Sequence, residues 1–189
     1  ITPFVLPRTV PEPPVYVVVV ESLGFLTLVA LASAVVLGVS TLLPGRRFPE
    51  RLVAEAPHGA LRIAFAAVLT ATLGSLYLSE IVGFEPCEFC WYQRIAMYPL
   101  VVILGVATLR RDLEVWRTAL PLTLVGALIS AYHVMIQWRP NLELTPCSGG
   151  VPCSARYVTT WGFVSIPVMA GAVFLLVTAL LVAVARRGG

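Results

Sequence analysis

Four cysteines, at positions 87, 90, 147 and 153, are the residues of this chain whose type and spacing can do chemistry. Cys87-Glu88-Phe89-Cys90-Trp91-Tyr92-Gln93-Arg94 sets a closely spaced pair where an apolar run meets water, with Arg94 four residues beyond Cys90. A close dithiol can cycle to a disulfide and back, two electrons at a time. The second pair lies in Pro146-Cys147-Ser148-Gly149-Gly150-Val151-Pro152-Cys153. Two glycines let that backbone turn tightly and two prolines limit its freedom, so its sulfurs can approach bonding distance.

Three chemistries compete for these thiols. Zinc binding by all four lacks support, because the two spacings do not repeat as the knuckles of common zinc sites do. Two structural disulfides are the plain alternative, common outside the cell. Thiol–disulfide exchange is favoured by the surroundings of Cys90. A helix beginning near Cys90 would place that thiol at the positive end of the helix dipole. Arg94 would then share its face, roughly 5–6 Å away between Cβ atoms. A unit charge at about 6 Å and an effective dielectric of ~20 contributes roughly 3 kcal/mol, which predicts a reactive thiolate at Cys90.

The elements that must position these residues are membrane helices. The chain is 58% hydrophobic and only 12% charged over 189 residues. A soluble domain carries about 25% charged residues, so this is a membrane composition with no room for a separate soluble domain. Basic residues form no clustered face mixed with aromatics, so nucleic-acid binding has little support. Apolar runs of about 20 residues mark bilayer spans. They fall at Val15 to Leu43, Leu61 to Val82, Ile95 to Leu109, Thr118 to Trp138 and Phe163 to Ala185. The third run rises only about 22 Å, so its helix must begin near Cys90 to span, drawing Arg94 to the interface.

Orientation follows from the arginines, the chain having no lysine. Arg46, Arg47, Arg51, Arg62, Arg110, Arg111, Arg117, Arg186 and Arg187 share one side if five spans alternate; Arg8, Arg94, Arg139 and Arg156 take the other. The richer side is expected to be cytoplasmic, leaving the N-terminus and both cysteine pairs outside and the C-terminus inside. The first run is too long for a signal core and no basic n-region precedes it, so it is read as a retained helix. Pro3 to Pro14 reads as an extended outer tail. His133 and Gln137 lie one turn apart in the outer half of the fourth span, where polar residues are functional candidates or interhelical hydrogen-bonders. Glu80 and Glu85 read as solvated interfacial carboxylates. Trp91, Tyr92, Trp138, Tyr157 and Trp161 fit an interfacial aromatic belt.

Cys-x-x-Cys-x-Tyr-x-Arg at a helix start resembles the disulfide bond formation protein B (DsbB) family of thiol–quinone oxidoreductases. The run from Cys87 to Pro99 is similar to its Gram-positive-type branch. His133-Val134-Met135-Ile136-Gln137 before a cysteine-bearing loop, and Pro167 early in the last helix, also match. The resemblance covers Leu61 to Ala185. It implies an all-α integral membrane fold with a four-helix bundle at 61–189; the apolar runs add, at 1–60 and outside the resemblance, the tail, an extra transmembrane helix and a cytoplasmic linker.

It further implies that Cys147, Cys153, Cys87 and Cys90 are catalytic. A DsbA-like thioredoxin-fold oxidase would form the mixed disulfide with Cys147, and Cys153 would exchange with Cys87. Cys90 would meet a membrane quinone, ubiquinone or menaquinone, in a site lined by Arg94 and His133, with no metal. The first helix and the short second cysteine loop depart from the family pattern. A vitamin-K-epoxide-reductase-like enzyme is a rival, although its cysteine pair sits late in the core. A non-catalytic membrane subunit with two structural disulfides is another, but a staple has no need of Arg94 beside Cys90.

Overall fold

Each apolar run folds as a helix, because in lipid only a helix or a closed barrel satisfies every backbone N–H and C=O internally. The computed structural model describes residues 13–42, 56–143, 147 and 151–186. Its helices are α1 (Pro13–Leu42), α2 (Pro57–Leu76), α3 (Glu88–Arg110), α4 (Trp116–Trp138) and α5 (Ile166–Ala185). All five are long and apolar enough to cross a membrane, and the chain is a multi-pass membrane protein. Most of the proline-rich tail, Arg8, the first connection with Arg46, Arg47 and Arg51, residues 148–150 and Arg187 lie outside the described residues.

Helix α2 packs on α3, α3 on α4, α4 on α5, and α5 back on α2, which closes a four-helix ring. Leu61, Ala64, Val68, Leu100, Leu104, Ala119 and Val177 fill its centre, none more than 2% exposed. The outward faces stay apolar: Phe25, Ile95, Leu109 and Leu128 are all over 60% exposed, which suits lipid rather than water. Helix α1 stands outside the ring and runs along α5.

Small residues set the closest approaches. A Cβ on Gly126 of α4 would run into the ring of Phe174 on α5. Thr178 donates to Thr123 across the same seam at 2.9 Å.

Three boundaries bear on the site. Helix α3 begins at Glu88 and runs 23 residues, about 34 Å, enough to span. Its cap is Cys87, in extended conformation (φ −68°, ψ 170°), with Trp91 N–H donating to the Cys87 carbonyl at 3.1 Å. Helix α2 ends in a π-helical turn, Tyr77–Ile81. Helix α5 starts at Ile166, three residues after the apolar run does. Trp161 (φ 51°) and Gly162 (φ 81°) make a tight turn there, closed by paired hydrogen bonds between Thr160 and Val164.

Candidate active site

The first turn of α3 divides two cysteines between two environments. Their sulfurs lie 3.1 Å apart, the pair reduced and in hydrogen-bond contact. Cys87 is 5% exposed and faces α4, where its sulfur lies 3.6 Å from His133 Nε2. Cys90 instead lines a cavity of about 690 Å³ bounded by α1, α2, α3 and α5.

His133 is 1% exposed, and its neighbours settle its tautomer. Nε2 is 3.0 Å from the backbone carbonyl of Cys153, an acceptor only, so Nε2 carries the proton. Nδ1 then accepts from the Gln93 amide at 3.4 Å. The Nε2–H therefore points at the second cysteine pair while lying against the sulfur of Cys87. The Phe89 ring packs on the imidazole at 5.6 Å.

Electrostatics favour a thiolate on Cys87. The hydrogen bond from Cys90 lowers its pKa from the ordinary thiol range, burial opposes this, and His133 lowers it further. Its place as helix cap adds the α3 dipole. The sequence predicts the thiolate at Cys90; the structure moves the helix start, and with it the dipole, to Cys87. Arg94 is spoken for as well. Its Nε donates to Ser75 Oγ at 3.0 Å and an NH2 group to the Ser75 carbonyl at 3.1 Å. The guanidinium also lies 5.2 Å from the centre of the Trp91 ring. Ser75 sits just before the π turn, and its carbonyl also accepts from the Ser79 hydroxyl. Such turns recur at functional sites.

Cys147 and Cys153 form a disulfide with Cα atoms 6.0 Å apart. Cys147 is partly exposed, and Cys153 fully buried. The segment after Cys153 is fastened to the end of α4. Gln137 donates to the Ala155 carbonyl at 3.2 Å and accepts from Ser165 at 2.7 Å, while Arg156 donates to the Gln137 carbonyl at 2.7 Å. Gln137 is thus a loop anchor.

Among the expected site residues, the structure gathers Cys87, Cys90, His133 and Cys153 at one end of the bundle. Arg94 lies one turn deeper along the cavity. The resemblance puts His133 beside Arg94 in the acceptor site; here it lies across the dithiol from the cavity, because α4 packs against the Cys87 face of α3. Trp91, Tyr92, Trp138 and Trp161 are exposed as a belt requires. Tyr157 is packed, stacked on Phe84 at 5.0 Å. Sequence reasoning missed Ser75 as the partner of Arg94 and Gln93 as the partner of His133. Gln93, 4% exposed within a spanning helix, carried a signal, since buried polar residues there need partners.

Cys87, Cys90 and His133 bring their ligand atoms within 4.8 Å of one another, as three metal donors would. Tetrahedral zinc with 2.3 Å bonds holds two thiolates about 3.8 Å apart, wider than this pair, and Nε2 is already engaged as a donor.

The family model for "Disulfide bond formation protein DsbB" matches residues 58–184, which is more than half of the chain. The chain belongs to the DsbB family. Disulfide bond formation protein C of Bacillus subtilis is 48% identical over 118 residues, 62% of this chain and 86% of that protein. A probable disulfide formation protein of Oceanobacillus iheyensis is 42% identical over 142 residues, 74% and 97% of the two chains. No solved structure matches. This DsbB-family protein is accordingly a membrane disulfide oxidoreductase. Its matched region opens at the start of α2 and leaves α1 outside.

Proposed function

We propose that this protein reoxidises an extracytoplasmic DsbA-like thiol oxidase and transfers the electrons to a membrane quinone. One observation carries the reading: His133 Nε2 touches both Cys87 Sγ and the Cys153 backbone, while Cys90 opens onto the cavity. The two disulfides of a relay thus meet at one imidazole, and the final thiol faces the lipid-accessible space.

Each step balances. The partner's two thiols reduce the Cys147–Cys153 disulfide and leave as a disulfide; Cys147, the more exposed sulfur, takes the attack. The Cys153 thiolate then attacks an oxidised Cys87–Cys90 pair at Cys87, releasing Cys90. Cys147 closes back on Cys153 and expels Cys87 as thiolate. A leaving thiol of low pKa leaves faster, which is the role of the His133 N–H beside Cys87. The described state, a 147–153 disulfide over an 87/90 dithiol, corresponds to the end of this exchange.

The cavity suits a quinone. It is apolar along most of its length and polar at the Cys90 end, within the roughly 300–1,000 Å³ typical of small-molecule sites. Arg94 has five N–H donors, and its two bonds to Ser75 leave others for a carbonyl acceptor. A quinone there supplies a two-electron, two-proton acceptor. Arg110, Arg111 and Arg117, at the end of the bundle away from the cysteines, support a cytoplasmic position for that end and an extracytoplasmic one for both pairs.

Cys90→Ser tests the reading. Quinone reduction by a reduced thioredoxin-fold partner should fall to background, while partner thiols still reduce Cys147–Cys153. Full quinone reduction by the variant sinks the proposal.

A further inference from the structure

Helix α1 has no counterpart in the matched region, yet it lines the cavity that ends at Cys90 and Arg94. Resting on the quinone reading above, we propose that α1 is the specificity wall for the acceptor's apolar tail. On this proposal the tail lies between α1 and α2 and enters from the lipid.

The course of α1 shows how a wall arises. Gly24, Thr27, Ala30, Ala34 and Leu37 recur at helical spacing and are buried. The helix runs along α5, with Gly24 beside Thr160 and Trp161 just ahead of it, while Thr27, Ala30 and Leu37 also border the cavity. At the cysteine end α1 also closes on its other neighbours. Tyr16 meets Phe84 edge-on at 6.4 Å, Val20 packs with Leu78 and Val82, and Leu23 lies where a Cβ on Gly74 of α2 would be 3.2 Å away. Gly74 adjoins Ser75, the residue that holds Arg94.

Beyond Leu23, α1 follows α5 and does not pack along α2. Leu26, Val29 and Val36 on one side face Ile63, Ala67 and Thr70 on the other across the cavity. Leu26, Val29, Val36 and Ile63 are each about half exposed, which marks a slot open towards lipid rather than a sealed void. A tail in this slot has its reactive head at the polar end. Without α1, that side of the groove would be bare lipid with no means of distinguishing one tail from another.

The test compares menadione, which has no tail, with a menaquinone carrying a polyisoprenoid tail. Equilibrium binding is read by quenching of tryptophan fluorescence in the full-length, detergent-purified protein, alongside turnover. Val29→Phe and Val36→Phe thicken the wall, and should weaken the tailed quinone by about tenfold while changing menadione less than about twofold. Leu26→Ala removes wall contacts, and should weaken the tailed quinone by roughly fivefold. Val35→Phe, on the lipid face of α1, should change neither. Equal weakening of both quinones, or of neither, by the three wall variants overturns the role of α1. Failure of the unaltered protein to bind either quinone overturns the acceptor reading and the wall together.

Discussion

The half of the bundle built around α4 is filled, and the half beside α1 is not. Along the α4–α5 seam Gly126 leaves no space for a methyl group against Phe174, Gly171 approaches Ser130, and Thr178 bonds to Thr123. Between α1 and α2 a cavity of about 690 Å³ runs beneath the cysteine end. Cys87 belongs to the filled half, held by His133, and Cys90 to the unfilled one. A three-residue step thus separates a sulfur held in close packing from one that borders open space. Close packing maintains geometry on one side; on the proposed function, the gap on the other side is where the acceptor is received.

The largest stability effect expected from this contrast is at Gly126. Gly126→Ala should destabilise by about 1–3 kcal/mol through overpacking, whereas Ala67→Leu on the cavity wall should cost well under half of that. Equal losses in thermal or denaturant unfolding would abolish the distinction between the halves.

A second effect concerns Cys87 itself. Because its pKa is lowered in the folded state, alkylation by iodoacetamide should persist at pH values where an ordinary thiol is protonated and inert. Falling pH shuts the reaction off only on passing the lowered value. Cys90→Ala should move the midpoint up most, and His133→Leu by less, following the order of their contributions. No movement in either variant would detach Cys87 from the filled half. The smallest effect is Thr178→Val, expected to cost about 0.6 kcal/mol, the usual worth of a hydrogen bond between membrane helices.

Much of this was legible in the sequence for a physical reason: the bilayer fixes how long an apolar run must be. All five helices fall where the runs fall, and α4 ends at Trp138 as expected. The start of α5 falls three residues later than expected because Phe163 and Val164 are apolar yet close the turn at Trp161–Gly162. Neither the left-handed backbone there nor the Thr160–Val164 pairing leaves a mark in hydropathy. At the site, the cysteine spacing and the intramembrane Arg94 and His133 stood out because polar groups are costly in lipid. Their partners did not. Whether Arg94 turns to Cys90 or to Ser75 depends on how α2 and α3 cross, which no local pattern encodes. The seat of α1 on α5 was equally hidden, since its burying stripe differs from its lipid face chiefly in side-chain size.

The edge-on contact of Tyr16 with Phe84 fixes which way α1 runs: its first turns lie at the cysteine end. A protein module grafted ahead of Pro13 would therefore emerge beside both pairs. Joined by a short flexible linker, a thioredoxin-fold module would meet Cys147 at an effective concentration in the millimolar range. On the proposed function, encounter with the partner would then be intramolecular, and a chimaera of this kind would report the rate of exchange between the two pairs.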